Sequence, residues 1–414
     1  MKLKSKNKKN YSRENGITLS ILVLIIVVLL MAVGVGIYAI SRKDGQKETN
    51  ELENLVNNTE NKNSLVLENT TSGQENQNPD PDNTTVKKVS TLVGKVVDRN
   101  TKAEDAYGNK ITIPKGFKIL PHGTTEGTAT YTYSGDNIPA VQDGIVIEDK
   151  DGNQFVWIPV GTIINKDKTT SKVTLGRYEF DSTTGALTST TPVQSAEDYT
   201  KEIKISNCIE LTAFREGNLA QDSTAQNATA RNLKEFISTT LENGGYYIAR
   251  FEASGSVSTI TSKYNQPLFI SENQRDAAKV AREMYGEVKE NNELVYASDL
   301  VNSYAWDTAI VFIQTCSTRE DAINYASNNK STSAANTGIN SDKYCNIWDM
   351  SGNKSEWTTE YSDYSYDGEF SSCVYRGGLY RASSAPIYGY TSKREAFSTI
   401  ATNGSGLRAI LYVK

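Results

Sequence analysis

The sequence predicts an α+β domain of irregular construction, which stands behind a membrane helix and a disordered stalk. Three observations lead to this prediction. A run of 24 residues, from Ile17 to Ile40, carries no charge. Residues 41–90 contain ten asparagines and no aromatic residue. Aromatic and β-branched residues return after residue 91, in short strand-like runs that are interrupted by helical patterns.

The composition of the chain excludes several classes of function. The 414 residues carry a net charge of −5, and no basic block occurs outside the N-terminus, so we expect no nucleic-acid partner. A single histidine, His122, argues against a Ser-His-Asp triad and against a multi-histidine metal site. Because His122 lies in a polar turn, we expect it to be an uninvolved surface residue.

The cysteines give no metal-binding or redox pattern. None of the four forms a Cys-x-x-Cys pair, and none has the spacing of a zinc site. In an exported chain they can be buried thiols or can form one or two disulfides, and the sequence leaves this choice open. They are Cys208, Cys316, Cys345 and Cys373.

The uncharged run predicts a membrane helix. Its 24 residues would span roughly 36 Å as a helix, enough for a hydrocarbon core of about 30 Å. The leader, residues 1–16, carries six basic residues against the single acid Glu14, and such a flank stays cytoplasmic. A cleaved secretory signal fits less well, because its apolar region is usually about 7–15 residues long. We therefore expect a single-pass protein of the cell membrane, with the C-terminal domain extracellular.

The junction of leader and helix carries a processing motif. Gly16-Ile17-Thr18-Leu19, after a basic leader, resembles the prepilin signal of type IV pilins and secretion pseudopilins. The resemblance implies cleavage after Gly16 by prepilin peptidase, methylation of Ile17, and partners in a pilus or secretion apparatus. Major pilins carry glutamate at the fifth mature position, where it neutralises a neighbour's buried ammonium, whereas this chain has Ile21. A minor pilin or a pilin-like membrane anchor fits this departure better than a major subunit.

The next two segments differ in their capacity to fold. Residues 41–90 cannot bury enough apolar surface to offset the entropy of ordering, so they predict a disordered extracellular stalk. Residues 91–139 predict a short β segment, with strands at 92–97 and 110–113.

The remaining residues, 140–414, predict the main domain. Its clearest local signal is a hairpin of two apolar strands around the pair Asp151-Gly152, which supplies the positive φ of a tight turn. Apolar periodicity predicts helices at 271–285 and 299–314, the second with Asp299 as its N-cap.

Three motifs mark the second half of this domain. They are the run from Asn346 to Trp357 (Asn-Ile-Trp-Asp-Met-Ser-Gly-Asn-Lys-Ser-Glu-Trp), the triplet Arg376-Gly377-Gly378 and the triplet Gly406-Leu407-Arg408. Together they resemble the formylglycine-generating, or sulfatase-modifying factor, family, whose irregular α+β fold is related to C-type lectins. The resemblance covers residues 140–414, and it includes the apolar strands at 155–160 and 246–253.

The resemblance also shows where this chain departs from the family's chemistry. The family's oxidase activity depends on two cysteines that follow the Arg-Gly-Gly motif, and the matching positions here are Ala382 and Ile387. That chemistry needs thiolates to hold copper. We therefore expect a protein that keeps the scaffold and is not an enzyme.

The first motif implies a cofactor. In the family, this loop often binds calcium through backbone carbonyls and a glutamate. The matching positions are Ser351, Gly352, Lys354 and Glu356, with Glu356 as the charged ligand. The alternative is purely structural, with the Glu356 carboxylate bonded to loop amides. Glycines and arginine forks commonly fix loops, so the other two motifs are expected to determine the fold.

The segment between the last two motifs predicts a recognition surface. It is rich in Tyr, Ser and Arg, a composition typical of adaptable binding faces. A ligand-binding face at the same place occurs in another branch of this fold, the variable proteins of diversity-generating retroelements, which the segment resembles in position and composition. The candidate ligand-binding residues are Tyr380, Arg381, Tyr388, Tyr390 and Arg394.

These observations predict an adhesin-like surface protein that binds an unidentified extracellular ligand, a glycan or a protein. Two alternatives stay open: a minor pilin with a purely structural role, and an active oxidase of the formylglycine-generating type.

Overall fold

The structure, a computed structural model, describes residues 86–123, 138–182, 184–213, 229–317, 334–339, 343–366, 369–378, 394–397 and 400–414. The predicted leader with its processing site, the membrane helix and nearly all of the stalk lie outside these ranges, as do Tyr380, Arg381, Ala382, Ile387, Tyr388 and Tyr390. Within the described ranges, no helix is both long and apolar enough to cross a membrane.

The described residues form many short strands and few helices, which confirms the predicted α+β class. The helices are Val89–Leu92 (α1), Leu233–Asn243 (α2), Gln274–Glu283 (α3) and Ser303–Cys316 (α4), with a 3-10 turn at Val141–Asp143. The first strands are Lys87–Lys88 (β1), Thr101–Glu104 (β2), Lys110–Ile113 (β3), Lys118–Ile119 (β4), Val146–Glu148 (β5), Gln154–Pro159 (β6), Gly161–Ile164 (β7), Thr170–Val173 (β8), Gly176–Arg177 (β9), Gln194–Ser195 (β10) and Cys208–Glu210 (β11). The later strands are Gly245–Ala249 (β12), Ser254–Ser256 (β13), Thr259–Thr261 (β14), Ser271–Asn273 (β15), Glu287–Glu290 (β16), Glu293–Leu300 (β17), Glu356–Tyr366 (β18), Glu369–Arg376 (β19), Glu395–Phe397 (β20), Ile400–Leu407 (β21) and Ala409–Val413 (β22).

The core is built around a seven-stranded sheet with the order β16-β17-β22-β12-β6-β5-β4. Its three central strands, β22, β12 and β6, are buried along their whole length, as expected of near-continuous apolar runs. The predicted hairpin is confirmed, because β5 pairs antiparallel with β6 and Gly152 has a φ of 84°.

Strand β4 of the predicted β segment at 91–139 joins this same sheet by pairing with β5, and the strand predicted at 110–113 is β3. The strand predicted at 92–97 is wrong, because Leu92 ends helix α1 and Val93 makes only an isolated bridge to Ile119.

The segment also begins earlier than predicted. Lys87 and Lys88 form β1, and Val89 is fully buried at the start of α1, so the end of the predicted stalk belongs to the folded unit. Val89 is apolar, and it is buried because it packs in the hydrophobic core of the domain.

A second sheet brings the three sequence motifs together. Its order is β15-β21-β18-β19-β20, with β11 paired to the middle of β18. Glu356, at the start of β18, lies opposite Arg376 of β19 on one side and Gly406 of β21 on the other. Residues that are 20 and 50 positions apart in sequence therefore meet at Glu356.

The two predicted helices exist with shifted starts. The first begins at Gln274, because Ser271–Asn273 pairs with β21 as a strand and the Asn273 side chain accepts a hydrogen bond from the Asp276 amide. The second begins at Ser303, where the Asn302 side chain caps the Ala305 amide. Helix α2 was not predicted, because it lies in a region of weak periodic signal.

Asp299 is not the N-cap that the sequence predicted. It lies in β17, and its buried carboxylate accepts hydrogen bonds from the Arg231 amide and from Arg282 Nε at 2.8 Å. Leu300 is the last residue of β17 and Val301 lies in the loop after it, although the spacing of these apolar residues resembles a first helical turn.

Candidate functional site

The first candidate site centres on a buried ion pair between Glu356 and Arg408. Arg408 Nη2 lies 2.7 Å from Glu356 Oε1 and Arg408 Nε lies 3.1 Å from Oε2, so the guanidinium holds both carboxylate oxygens. Arg408 also donates to the carbonyls of Ala249 and Trp348, each at 2.8 Å. One side chain of the last motif therefore ties the first motif to the central sheet.

The loop of the first motif is held by a second acid, Glu252. The Glu252 carboxylate accepts hydrogen bonds from the Lys354 amide at 3.1 Å and from the Asn353 side chain. Asp349 and Asn353 both have positive φ, 58° and 56°, so the loop needs such anchors to hold its conformation. Glu252 was not predicted from the sequence, although an acid inside an apolar strand run was a usable signal.

The electrostatics of this loop are acidic and buried. Burial raises the pKa of Glu252 well above its ordinary value, and the charges of Asp349 and Glu356 add to the rise. Burial also raises the pKa of Glu356, although Arg408 counteracts it.

The predicted calcium positions are all buried in this loop. Ser351, Lys354 and Glu356 are at most 7% exposed, Gly352 is buried, and the Gly352 amide donates to the Gly377 carbonyl at 2.7 Å. The available donors are oxygens, which suit calcium, but both Glu356 oxygens already contact Arg408. In the part of the chain that the structure describes, no group of three or more His, Cys, Asp or Glu side chains could hold a metal ion. Calcium at this loop stays a prediction.

The second candidate site is a closed set of ion pairs, which we call the ion-pair ring: Arg177, Arg376, Arg394, Asp307 and Glu360. Arg376 contacts Asp307 Oδ1 at 2.7 Å and Glu360 Oε2 at 3.1 Å. Arg394 contacts the other oxygen of each acid, Asp307 Oδ2 and, at 2.7 Å, Glu360 Oε1. Arg177 adds a third contact to Glu360, at 3.1 Å.

The ion-pair ring is shielded from solvent, since its side chains are at most 2% exposed. Burial alone would raise the pKa of Glu360, but Arg394, Arg376 and Arg177 together lower it to about 2. The neighbouring acid Glu210 has a raised pKa instead.

Glu210 binds the first residue of α4, Ser303, beside the ion-pair ring. Its carboxylate accepts hydrogen bonds from the Ser303 amide at 2.8 Å, the Ser303 hydroxyl at 2.6 Å and the Thr359 hydroxyl at 2.5 Å. Burial raises the pKa of Glu210 to about 7, and the charge of Glu360 adds to the rise. This group therefore titrates near neutral pH inside the fold.

Arg394 is not part of an exposed face, which corrects the sequence prediction for this residue. It is 9% exposed as a whole residue, and its guanidinium bonds to Asp307, Glu360 and the Tyr178 carbonyl. Two buried carboxylates require cationic partners, and Arg394 is one of them. The prediction for the other four candidate residues, which lie outside the described ranges, stays a prediction.

The ion-pair ring fixes both ends of the segment that the sequence singled out. Arg376 lies just before residues 377–393 and Arg394 just after them, and both contact the same two carboxylates. Asp307, Glu360 and Arg177 were not predicted from the sequence. A charged residue inside the apolar run of α4 was the one available signal, at Asp307.

The remaining candidate groups show no reactive arrangement. All four cysteines are buried free thiols. Burial raises the pKa of Cys208 and of Cys316 to about 12, and it raises that of Cys345 as well. His122 lies at the surface, with Nδ1 3.7 Å from Asp143 Oδ2.

Comparisons with known proteins identify no family for this chain. No family model matches the chain, and no curated protein matches it. Among solved structures, the chain is similar to Treponema denticola variable protein 1 at 10% sequence identity. That match covers 64% of this chain and 96% of the other, with a TM-score of 0.24, which is too low to support an argument about fold or function.

Proposed function

We propose that the chain is a non-catalytic cell-surface protein that binds an extracellular glycan or protein through residues 380–390. The observation behind this proposal is the pair of contacts at the two ends of the segment. Arg376 and Arg394 bind the same two buried carboxylates, Asp307 and Glu360, so the ends of the segment are fixed by the scaffold. Binding residues are commonly carried on loops that a rigid scaffold positions.

The proposed scaffold is a sulfatase-modifying-factor-like domain of the C-type-lectin-like kind. Support comes from the meeting of the three motifs at Glu356, which pairs with Arg376 and Gly406 across the sheet and with Arg408 by its side chain. Motifs that belong to one fold are expected to lie together, whereas chance matches would be scattered.

The proposal excludes the family's oxidation chemistry. Ala382 and Ile387 stand where the related enzymes carry cysteines. The thiolate is the reactive form of cysteine, and burial keeps Cys208, Cys316 and Cys345 protonated at neutral pH.

The proposed location is the cell membrane, with a single helix at residues 17–40 and the domain outside. The basic leader supports this orientation. The motif at Gly16-Ile17 favours a second candidate, a minor pilin that prepilin peptidase cleaves and that joins a pilus or secretion apparatus. In that case the protein would co-purify with filaments and bind no ligand.

The test uses cells that carry the full chain. Protease added to intact cells should remove the folded domain, and cells that carry the chain should bind members of a panel of glycans and matrix proteins that bare cells do not. A domain that is protected until lysis would overturn the orientation. Surface exposure without any binding, together with recovery in purified filaments, would favour the minor pilin.

A further inference from the structure

The fold brings two of the four cysteines together and keeps the other two apart. Cys316 is the last residue of helix α4, and Cys345 immediately precedes the first motif. Both side chains belong to the hydrophobic core, at 1% and 9% exposure. The sequence leaves the redox state of the cysteines open, whereas the fold distinguishes among the possible pairs.

The turn that carries Cys345 has a defined conformation. The Tyr344 and Ile347 amides each donate to the carbonyl of the other residue, at 3.0 and 2.8 Å. The two central residues, Cys345 and Asn346, have φ of 43° and 63°, as a tight two-residue turn requires. Positive φ is uncommon for a residue such as cysteine, so the surrounding contacts have to hold it.

Contacts with Gly144 hold this turn in place. The Asn346 side-chain amide donates to the carbonyls of Asp143 and Gly144, at 3.0 and 2.7 Å. A Cβ atom at Gly144 would lie 1.9 Å from the Cys345 carbonyl oxygen, so only glycine allows the two backbones to approach this closely. The backbone of Cys345 therefore has a fixed position in the core.

The Cys345 thiol faces the end of α4. The side chain of Ser317, the residue after Cys316, makes a hydrogen bond to this thiol. The thiol also contacts the Gln142 carbonyl, with Sγ 3.7 Å from the oxygen. Burial raises the pKa of Cys345 well above its ordinary value, and the charge of Cys316 adds to the rise, an effect that acts between close groups.

Strand register excludes a bond between the other two cysteines. Cys208 of β11 lies opposite Ser362, and Cys373 of β19 lies opposite Tyr361, on the two sides of β18. Two strand spacings, or about 10 Å, therefore separate their Cα atoms. A disulfide usually needs Cα atoms about 4.4–6.8 Å apart. Joining Cys208 to Cys373 would require β18 to leave the sheet.

We propose that Cys316 and Cys345 form a disulfide in the exported protein, while Cys208 and Cys373 stay thiols. The bond joins the end of α4 to the start of the first motif. Its formation releases two protons and two electrons, and a disulfide oxidant such as oxidised glutathione takes up the electrons. One thiolate attacks the oxidant and forms a mixed disulfide, and the second thiolate then displaces the remaining glutathione.

The bond should form before the fold closes over the two thiols. Burial raises the pKa of Cys316 to about 12 and also raises that of Cys345, so the folded chain holds little of the reactive thiolate. Oxidation in the organism rests on the extracellular location proposed above, because disulfides persist in oxidising surroundings. Closure of the pair in a refolding mixture does not depend on that location.

The test is a peptide map of the unchanged chain, which needs no variant. The full chain in neutral detergent is unfolded with reductant, refolded in oxidised and reduced glutathione, and then alkylated with N-ethylmaleimide in denaturant. Trypsin leaves each cysteine in a different peptide, and we expect the Cys316 and Cys345 peptides to be joined and the other two to be alkylated. Four alkylated peptides, or a bond to Cys208 or Cys373, would overturn the proposal. In order of their cysteines, the peptides are 205–215, 290–319, 344–354 and 355–376.

Variants and cells complete the test. Cys373→Ser is the control and should keep the joined peptides, whereas Cys316→Ser should leave Cys345 alkylated. Dithiothreitol should lower the melting temperature of the oxidised unchanged chain by several degrees and should leave that of Cys345→Ser unchanged, because the bond restricts the unfolded chain. An equal effect of dithiothreitol on both proteins would overturn the proposal. A pair that closes on refolding but is alkylated on intact cells would support the pair and contradict the extracellular location.

Discussion

Arg376 and Arg394 hold opposite oxygens of one carboxylate, that of Asp307, although 17 residues separate the two arginines in sequence. The two arginines also divide the carboxylate of Glu360, with Arg376 at Oε2 and Arg394 at Oε1. The segment between the arginines therefore starts and ends at the same buried point.

Loss of either arginine should destabilise the domain strongly. Arg376→Ala and Arg394→Ala each remove one of the two arginines that contact Asp307 and one of the three that contact Glu360. The buried hydrogen bonds to charged groups that are lost should cost roughly 1.5–3 kcal/mol in the free energy of unfolding. Denaturant unfolding of the full chain measures this. Lys201→Ala is the matched control, because it breaks an exposed pair with Asp198 and should cost at most about 1 kcal/mol. If Arg394→Ala lowers the free energy of unfolding as little as the control does, then the ion pairs of Arg394 do not form.

Glu356 and Arg408 should be energetically coupled. Glu356→Gln and Arg408→Ala each strand a buried partner, whereas the double variant removes both charges. The double-mutant cycle should therefore give a coupling of roughly 1–3 kcal/mol. Additive effects of the two substitutions would mean that Arg408 acts only through its contacts with the carbonyls of Ala249 and Trp348.

The sequence predicted the elements that local residues determine. The hairpin around Asp151-Gly152 depends on a turn that two residues specify, and it formed as predicted. Two nearby residues, Asp299 and Asn302, have side chains that can cap the start of α4. Asn302 is the cap because the Asp299 carboxylate is held by Arg231 and Arg282, and that contact is invisible in a local pattern.

The ion-pair ring could not be predicted from the sequence. Arg177 and Glu360 are 183 residues apart, and their contact follows from the pairing of β11 with β18 and from the packing of α4. The exposure of Arg394 was predicted wrongly for the same reason, because its partners Asp307 and Glu360 are also far from it in sequence. Its neighbours in sequence are typical of an exposed face, but its contacts come from α4 and β18.

Stability should fall as pH rises from about 4.3 to about 7, in part because of Glu210. Its pKa is about 7 in the folded state and about 4.3 in an unfolded chain, so between these values the folded state binds more protons. Glu210→Gln cannot ionise and should make the free energy of unfolding less dependent on pH in this window. Unfolding measured at several pH values tests this, and an unchanged slope in the variant would contradict it.

Calcium should stabilise the domain if the first motif binds it. Binding to the folded state alone adds about 2.7 kcal/mol at a hundredfold excess over the dissociation constant. Millimolar calcium should raise the melting temperature of the full chain relative to a chelator, and magnesium at the same concentration serves as the control. No difference would identify Glu356 as a purely structural partner of Arg408.

We propose that residues 380–390 bind the ligand while the ion-pair ring holds the fold. The measurement is binding to the surface ligand, alongside thermal melting, of Tyr388→Ala/Tyr390→Ala and of Arg376→Ala, with Tyr107→Ala as the control for an aromatic outside the segment. We expect the double tyrosine variant to lose at least tenfold in affinity while its unfolding free energy stays within about 0.5 kcal/mol. We expect Arg376→Ala to melt well below the unchanged chain, and Tyr107→Ala to bind normally. If the double tyrosine variant unfolds as readily as Arg376→Ala, or binds as well as the unchanged chain, then residues 380–390 are not the binding segment.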